Sequence, residues 1–121
     1  MIAGAGPRML RLAARYADSW NTAWHAEPDS AMARIESIRA ACASEGRDPG
    51  SLEITVSVGI GYSDLGAVTP RSGLSGSVEH VADAFRGYAD LGVKHIMIEF
   101  APYIPEALER IASAVRLFRG Q

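Results

Sequence analysis

The sequence predicts an α/β fold in which parallel strands alternate with helices, and three observations carry that prediction. Apolar residues recur at helical spacing in four segments, each preceded by a short stretch with strand character. Proline or serine opens the helices, and glycine follows several of them. The chain's first turn, Gly4-Ala5-Gly6-Pro7, is of the kind that delivers a strand's C-terminal end straight into a helix. Successive βα units imply a parallel sheet with right-handed crossovers.

Taken in order, Met1-Ile2-Ala3 form at most the last residues of a strand. Pro7 starts a helix to about Ala17, with Met9, Leu10, Ala13, Ala14 and Ala17 as its apolar stripe and Arg8, Arg11 and Arg15 opposite. The aromatic, β-compatible run near 19–23 reads as a brief strand. Pro28-Asp29-Ser30 signals a second helix, on which Met32, Ile35, Ile38 and Cys42 recur until Gly46. A turn at Arg47-Asp48-Pro49-Gly50 leads to a strand from Leu52 to Ile60, rich in Ile, Val and Thr. Residues 61–76, dense in Gly, Pro and Ser, read as a long loop of the functional or mobile kind. Ser77 caps a third helix bearing Val78, Val81, Phe85 and Tyr88, which Gly92 ends. His95 to Phe100 has strand character, and Pro105 opens a last helix with Leu108, Ile111, Val115 and Phe118 buried. The strands read as apolar on both faces, with helices on one side and a core on the other.

At 121 residues the chain makes one domain with a real core. A formal charge of −2, with cationic side chains spread along helices, gives no reason to expect nucleic acid or an anionic membrane as partner. The single Cys42 permits no intrachain disulfide and fits a reducing compartment. No apolar run reaches the roughly 20 residues of a bilayer span, and the N-terminus shows no signal-peptide pattern, so the expected location is the cytoplasm. Three dispersed histidines and one cysteine have no metal-ligand spacing, so no metal site is expected.

The Gly-Ala-Gly-Pro turn is the strongest chemical feature. Small residues let the backbone approach an anion closely, while helix N-terminal N–H groups and the helix dipole favour negative charge. A tight strand-to-helix turn without a ligand would have the same composition.

The residues also resemble a known family. Gly4-Ala5-Gly6-Pro7-Arg8-Met9-Leu10-Arg11-Leu12-Ala13-Ala14-Arg15-Tyr16-Ala17-Asp18-Ser19-Trp20-Asn21 is similar to the signature after the fifth strand of luciferase-like flavin and deazaflavin oxidoreductases. Ala43-Ser44-Glu45-Gly46-Arg47-Asp48-Pro49 resembles that family's turn before strand seven, and Ser75-Gly76-Ser77-Val78-Glu79-His80-Val81-Ala82 resembles a later helix start. Tyr88-Ala89-Asp90-Leu91-Gly92-Val93-Lys94-His95 resembles its lead into strand eight. Ser19 departs from the family's usual glycine.

The resemblance implies a partial (β/α)8 TIM-type barrel, from the end of strand five through helix eight, so that residues 1–121 are the C-terminal half of such a barrel. It implies a fragment or truncated member whose parent passes hydride or electrons between a small organic substrate and FMN or the deazaflavin coenzyme F-420, with oxygen as co-substrate in a monooxygenase. Neither cofactor is preferred by the residues present, and activity of this chain alone is in doubt. The alternative is a non-catalytic half-barrel whose open edges and apolar inner surface are covered by a second copy, as a homodimer, or by a complementing N-terminal half-barrel.

By the same resemblance, Gly4, Ala5 and Gly6 hold the cofactor's phosphate. Arg8 either adds charge nearby or is an exposed first-turn arginine. Trp20 and Asn21 end the sixth strand near the site, Trp20 as flavin neighbour or as core. His25 reads as a solvated loop residue. Tyr62, with Ser63 and Asp64, follows strand seven on the substrate side, and Arg71 in the same loop is either an anion contact or a solvated loop arginine. Glu99, at the end of strand eight, is either an inward-facing acid or the partner of a helix arginine. No catalytic residue is assigned, which suits a family in which the cofactor carries the chemistry.

Overall fold

The computed structural model describes residues 1–66 and 73–120. Strands β1 (Ile2–Ala3), β2 (Ser19–His25), β3 (Glu53–Gly61), β4 (Gly73–Leu74) and β5 (Val93–Ala101) form one sheet, and every pairing is parallel. Helices α1 (Pro7–Tyr16), α2 (Pro28–Ser44), α3 (Val78–Asp90) and α4 (Pro105–Phe118) alternate with them. The sheet runs β1-β2-β3-β5, and β4 lies beside the end of β3. All the strand C-termini therefore gather at one rim.

Local chemistry explains the boundaries. Pro7, Pro28 and Pro105 occupy first-turn positions, where the missing N–H costs nothing. Ser77 caps α3, its hydroxyl accepting from the His80 amide at 3.1 Å. The Gly46-Arg47-Asp48-Pro49 turn is held from within: the Arg47 guanidinium donates to the carbonyls of Ala14 at 3.3 Å and Ala17 at 2.6 Å, capping the end of α1. Asp48 accepts from the Gly50 amide at 3.0 Å. Gly87 lets α3 approach the start of α2, since a Cβ there would lie 2.6 Å from Pro28 Cγ.

Register divides the sheet into two unlike faces. Trp20, Ile54 and Val93 align, as do Thr22, Val56 and Ile96; Val58 pairs with Ile98 and Ile60 with Phe100. These residues meet the buried stripes of the helices: Leu10, Ala13 and Ala14 of α1; Ile35, Ile38 and Cys42 of α2; Val81, Phe85 and Tyr88 of α3; Ala107, Ile111 and Ala114 of α4.

The opposite face aligns Asn21 with Thr55 and His95, Ala23 with Ser57 and Met97, and Gly59 with Glu99. Ala23, His95 and Glu99 on it are exposed. This corrects the expectation of an apolar inner surface. Its paired residues are small or polar apart from Met97. Thr55 Oγ1 donates to Asn21 Oδ1 at 2.7 Å, and Asn21 Nδ2 donates to Ser57 Oγ at 3.3 Å, so the face carries its own hydrogen-bonded ladder.

The expected 61–76 loop is also not wholly loop. It contains a 3-10 turn at Ser63–Leu65 and the short strand β4, which pairs with Gly59 and Ile60 where β2 has ended. Tertiary pairing forms this strand, and two residues carry no periodicity that would announce it.

Candidate functional site

A cavity of about 220 Å³ opens at the rim where β1 and β2 end. Gly4 and Ala5 of the first turn form one wall; Ala3, Asn21 and Ala23 come from the open face; Thr22, His25 and Arg34 complete it. Gly4 has φ +121°, a backbone conformation that side chains resist, and this bends the chain from β1 toward α1. Gly6 is the N-cap of α1 and offers no side-chain acceptor to the first-turn amides, which are thus left for water or a ligand. The Trp20 indole donates to the Gly4 carbonyl at 2.9 Å and fixes the turn from below.

The other wall is built by a bulge. Ala23 pairs with Ser57 and His25 with Val58, so Trp24 is an extra residue in β2. Trp24 has φ +64°, uncommon for a large side chain, and is 55% exposed at the rim. The strain is held by His25, which is 9% exposed. Its Nε2 meets the Thr22 hydroxyl at 2.8 Å and its Nδ1 meets the Ser30 hydroxyl at 3.0 Å. Ser30 spends its proton on the Glu27 carbonyl at 2.8 Å, so it accepts from His25. Nδ1 therefore carries a proton, and in the neutral ring Thr22 donates to Nε2. This corrects the reading of His25 as a solvated loop residue. Tyr88 adds a further tie, its hydroxyl donating to the Ala26 carbonyl at 2.8 Å.

Burial, then the positive charge of Arg34, lowers the His25 pKa below its ordinary 6.5. A depressed histidine pKa contributes stability that is present above the unfolded value and lost as pH falls toward the folded one, because the unfolded chain then binds the extra proton. Chemical denaturation should show stability decreasing as pH drops below about 6.5, and His25→Gln should flatten that slope. An unchanged slope would remove His25 from this role.

The anticipated site residues fall into separate places. Gly4, Ala5 and Asn21 line the cavity. Gly6, the N-cap of α1, and Arg8, exposed in its first turn, are not among the residues that line it. Trp20 is 1% exposed and lies in the core, reaching the turn only through its N–H. Tyr62 is buried under the Arg110 guanidinium, 5.0 Å from its ring centroid. Arg110 of α4 also grips both carboxylate oxygens of Asp64, at 3.0 and 2.8 Å, which holds that carboxyl below its usual range. Burial pushes the Tyr62 phenol up. Glu99 is exposed on the open face and forms no ion pair among the described residues. Arg71 lies outside the described residues. Sequence reasoning missed Arg34, an exposed helix arginine with no local mark to set it apart.

Among the described residues no group of three or more His, Cys, Asp or Glu side chains is placed to hold a metal, and no helix is long and apolar enough to cross a membrane. The lining combines the backbone of the Gly4-Ala5 turn with the Asn21 amide and the Arg34 guanidinium, a set that suits an anion.

Residues 1–65 match the family model described as luciferase-like monooxygenase. Over 48 residues the chain is 46% identical to the phthiodiolone/phenolphthiodiolone dimycocerosates ketoreductase of Mycobacterium sp. (strain JLS), a stretch that is 40% of this chain and 13% of that protein. The crystal structure of riboflavin lyase with modified FMN and riboflavin matches 98% of this chain and 42% of its own, with TM-score 0.72 at 13% identity. An F420-dependent secondary alcohol dehydrogenase in complex with an F420-acetone adduct matches 93% of this chain and 47% of its own, with TM-score 0.62 at 14% identity. The chain thus spans less than half the length of either structure. At such identities the likeness is one of fold, and the alternating parallel strands and helices are part of a (β/α)8 barrel.

Proposed function

The chain belongs to the luciferase-like monooxygenase family, and from that premise we propose that it supplies the phosphate-holding wall of a flavin-type cofactor site, for FMN or coenzyme F-420. The surrounding enzyme would be an oxidoreductase acting on a small organic substrate, and this chain would correspond to the barrel from the end of strand five through helix eight.

The observation that carries this reading is the rim cavity bounded by the Gly4-Ala5 turn and Arg34. Its volume of about 220 Å³ is below the roughly 300–1,000 Å³ typical of sites that enclose a drug-sized ligand. It suits a phosphate and the start of its chain, with a cofactor ring left to lie beyond it. Barrel enzymes place their sites at the C-terminal ends of the strands, where this cavity lies.

The bound cofactor would supply the hydride or electron transfer. The residues of this chain bind and orient. Arg34 pairs with the anion, the first-turn amides of α1 donate to it, and Gly4 lets the backbone come close. His25, held by Thr22 and Ser30, fixes the bulge that presents Trp24.

Equilibrium titration with FMN, with coenzyme F-420, and with riboflavin as the phosphate-free control tests this reading. FMN or F-420 should bind more tightly than riboflavin. Arg34→Ala should weaken the phosphorylated ligand about tenfold or more, since a hydrogen bond to a charged group is worth about 1.5–3 kcal/mol. Equal affinity for FMN and riboflavin, or an Arg34→Ala variant that binds like the parent, would refute it.

A further inference from the structure

We propose that Trp24 is a ligand-contacting residue whose indole packs against the flat ring of the compound that carries the phosphate. This rests on the reading of the rim cavity as a phosphate holder.

The backbone at Trp24 asks for a different residue. Trp24 is the extra residue of the β2 bulge, at φ +64°. Glycine, and less often asparagine or aspartate, visits that region routinely, and bulges with a left-handed first residue favour glycine there. The chain places its bulkiest kind of side chain at this point and leaves it 55% exposed. Neither the turn nor the core calls for tryptophan here. Among the described residues its ring joins no aromatic or cation–π pair.

Strain of this kind persists only where the surroundings over-determine it, and such places cluster at ligand contacts. The three residues after Trp24 are each tied down. His25 is held by Thr22 of β2 and Ser30 of α2, at 2.8 and 3.0 Å. The Ala26 carbonyl accepts from Tyr88 of α3 at 2.8 Å. Glu27 accepts from Ser30 at its carbonyl, and its carboxylate meets His80 Nε2 of α3 at 2.8 Å. Side chains from three elements thus clamp the segment that sets the Trp24 backbone.

The position fits a ring contact. Ala23 and His25, on either side of Trp24 in the chain, both line the cavity with Gly4, Ala5 and Arg34. β2 is an inner strand, with β1 on one side and β3 on the other, so its end meets the rim and not a sheet edge. The cavity, about 220 Å³, has room for a phosphate and the start of its chain, and the ring must lie outside. An indole beside the mouth offers that ring an apolar face.

Titration of the 121-residue chain with FMN, riboflavin and inorganic phosphate tests the contact, on the parent, Trp24→Gly and Trp24→Phe. Trp24→Gly should weaken FMN and riboflavin by the same factor, about tenfold, and leave inorganic phosphate unchanged. Trp24→Phe should keep most of the affinity. The denaturation midpoint of Trp24→Gly should be no lower than the parent's, because glycine accepts the bulge conformation without strain. A glycine variant that binds both ring compounds like the parent would overturn the proposal. So would equal loss of inorganic phosphate, a lowered midpoint accompanying the loss, a phenylalanine variant as weak as the glycine one, or a parent that binds neither ring compound. Equal affinity of the parent for FMN and riboflavin, or no binding of inorganic phosphate, would refute the phosphate reading alone, since the Trp24 factor is also read on riboflavin.

Discussion

Trp20→Ala is expected to destabilise the chain by about 3–5 kcal/mol, as for other large aromatic truncations in a core. Trp20 is among the largest fully buried side chains, at 1% exposure, and its alignment with Ile2 and Ile54 joins β1, β2 and β3. Against the roughly 5–15 kcal/mol that holds a typical domain, such a loss is decisive. The variant should also lose phosphorylated-cofactor binding, because the Gly4 carbonyl is tied down by the indole N–H at 2.9 Å. Trp20→Phe separates the two effects. It keeps most of the buried volume, drops one hydrogen bond worth about 1 kcal/mol, and loosens the turn. Denaturant titration followed by circular dichroism gives the stabilities. A Trp20→Ala variant as stable as the parent would contradict the placement of this residue in the core.

Gly4→Val is the second large effect expected, and it falls on binding. At φ +121° a β-branched residue is strained, and such conformations cost about 1–3 kcal/mol. A Cβ there would already touch Met9 Cβ at 3.4 Å, so the γ-carbons of valine would crowd the Met9 side chain. The turn should relax away from the cavity wall, and affinity for the phosphorylated ligand should fall at least tenfold. Gly6→Ala is the matched control. Gly6 has φ −67°, and nothing lies within 4 Å of the Cβ it would gain. Its substitution should change stability by less than about 1 kcal/mol and leave binding intact. Equal losses from both variants would mean that glycine at Gly4 is not required by its backbone conformation.

These two glycines show where the sequence was legible and where it was not. The Gly-Ala-Gly-Pro pattern marks a strand-to-helix turn, and proline signals place α1, α2 and α4, because those signals act within a few residues. Which glycine carries the positive φ depends on the path from β1 into α1. The two-faced sheet was written in the alternation of Thr55, Ser57 and Gly59 with Ile54, Val56, Val58 and Ile60. Reading the strand by its overall apolar content concealed it. His25 looked like a loop histidine because the bulge at Trp24 extends β2 past its apparent end. Arg34 joins the cavity only through the packing of α2 beside β2, a relation between distant segments with no local mark. The family motifs were visible as strings, yet two of their residues serve the scaffold. Arg47 caps α1, and Trp20 anchors the turn.

The most direct test of the central claim is an amide chemical-shift titration of the isotope-labelled chain with FMN and, in parallel, with riboflavin. A phosphate held at the rim should move the amides of Gly4, Ala5, Thr22 and Ala23 and the Arg34 side chain with FMN, and leave them in place with riboflavin. Identical shifts with both ligands, or shifts confined to residues away from this cavity, would contradict the account.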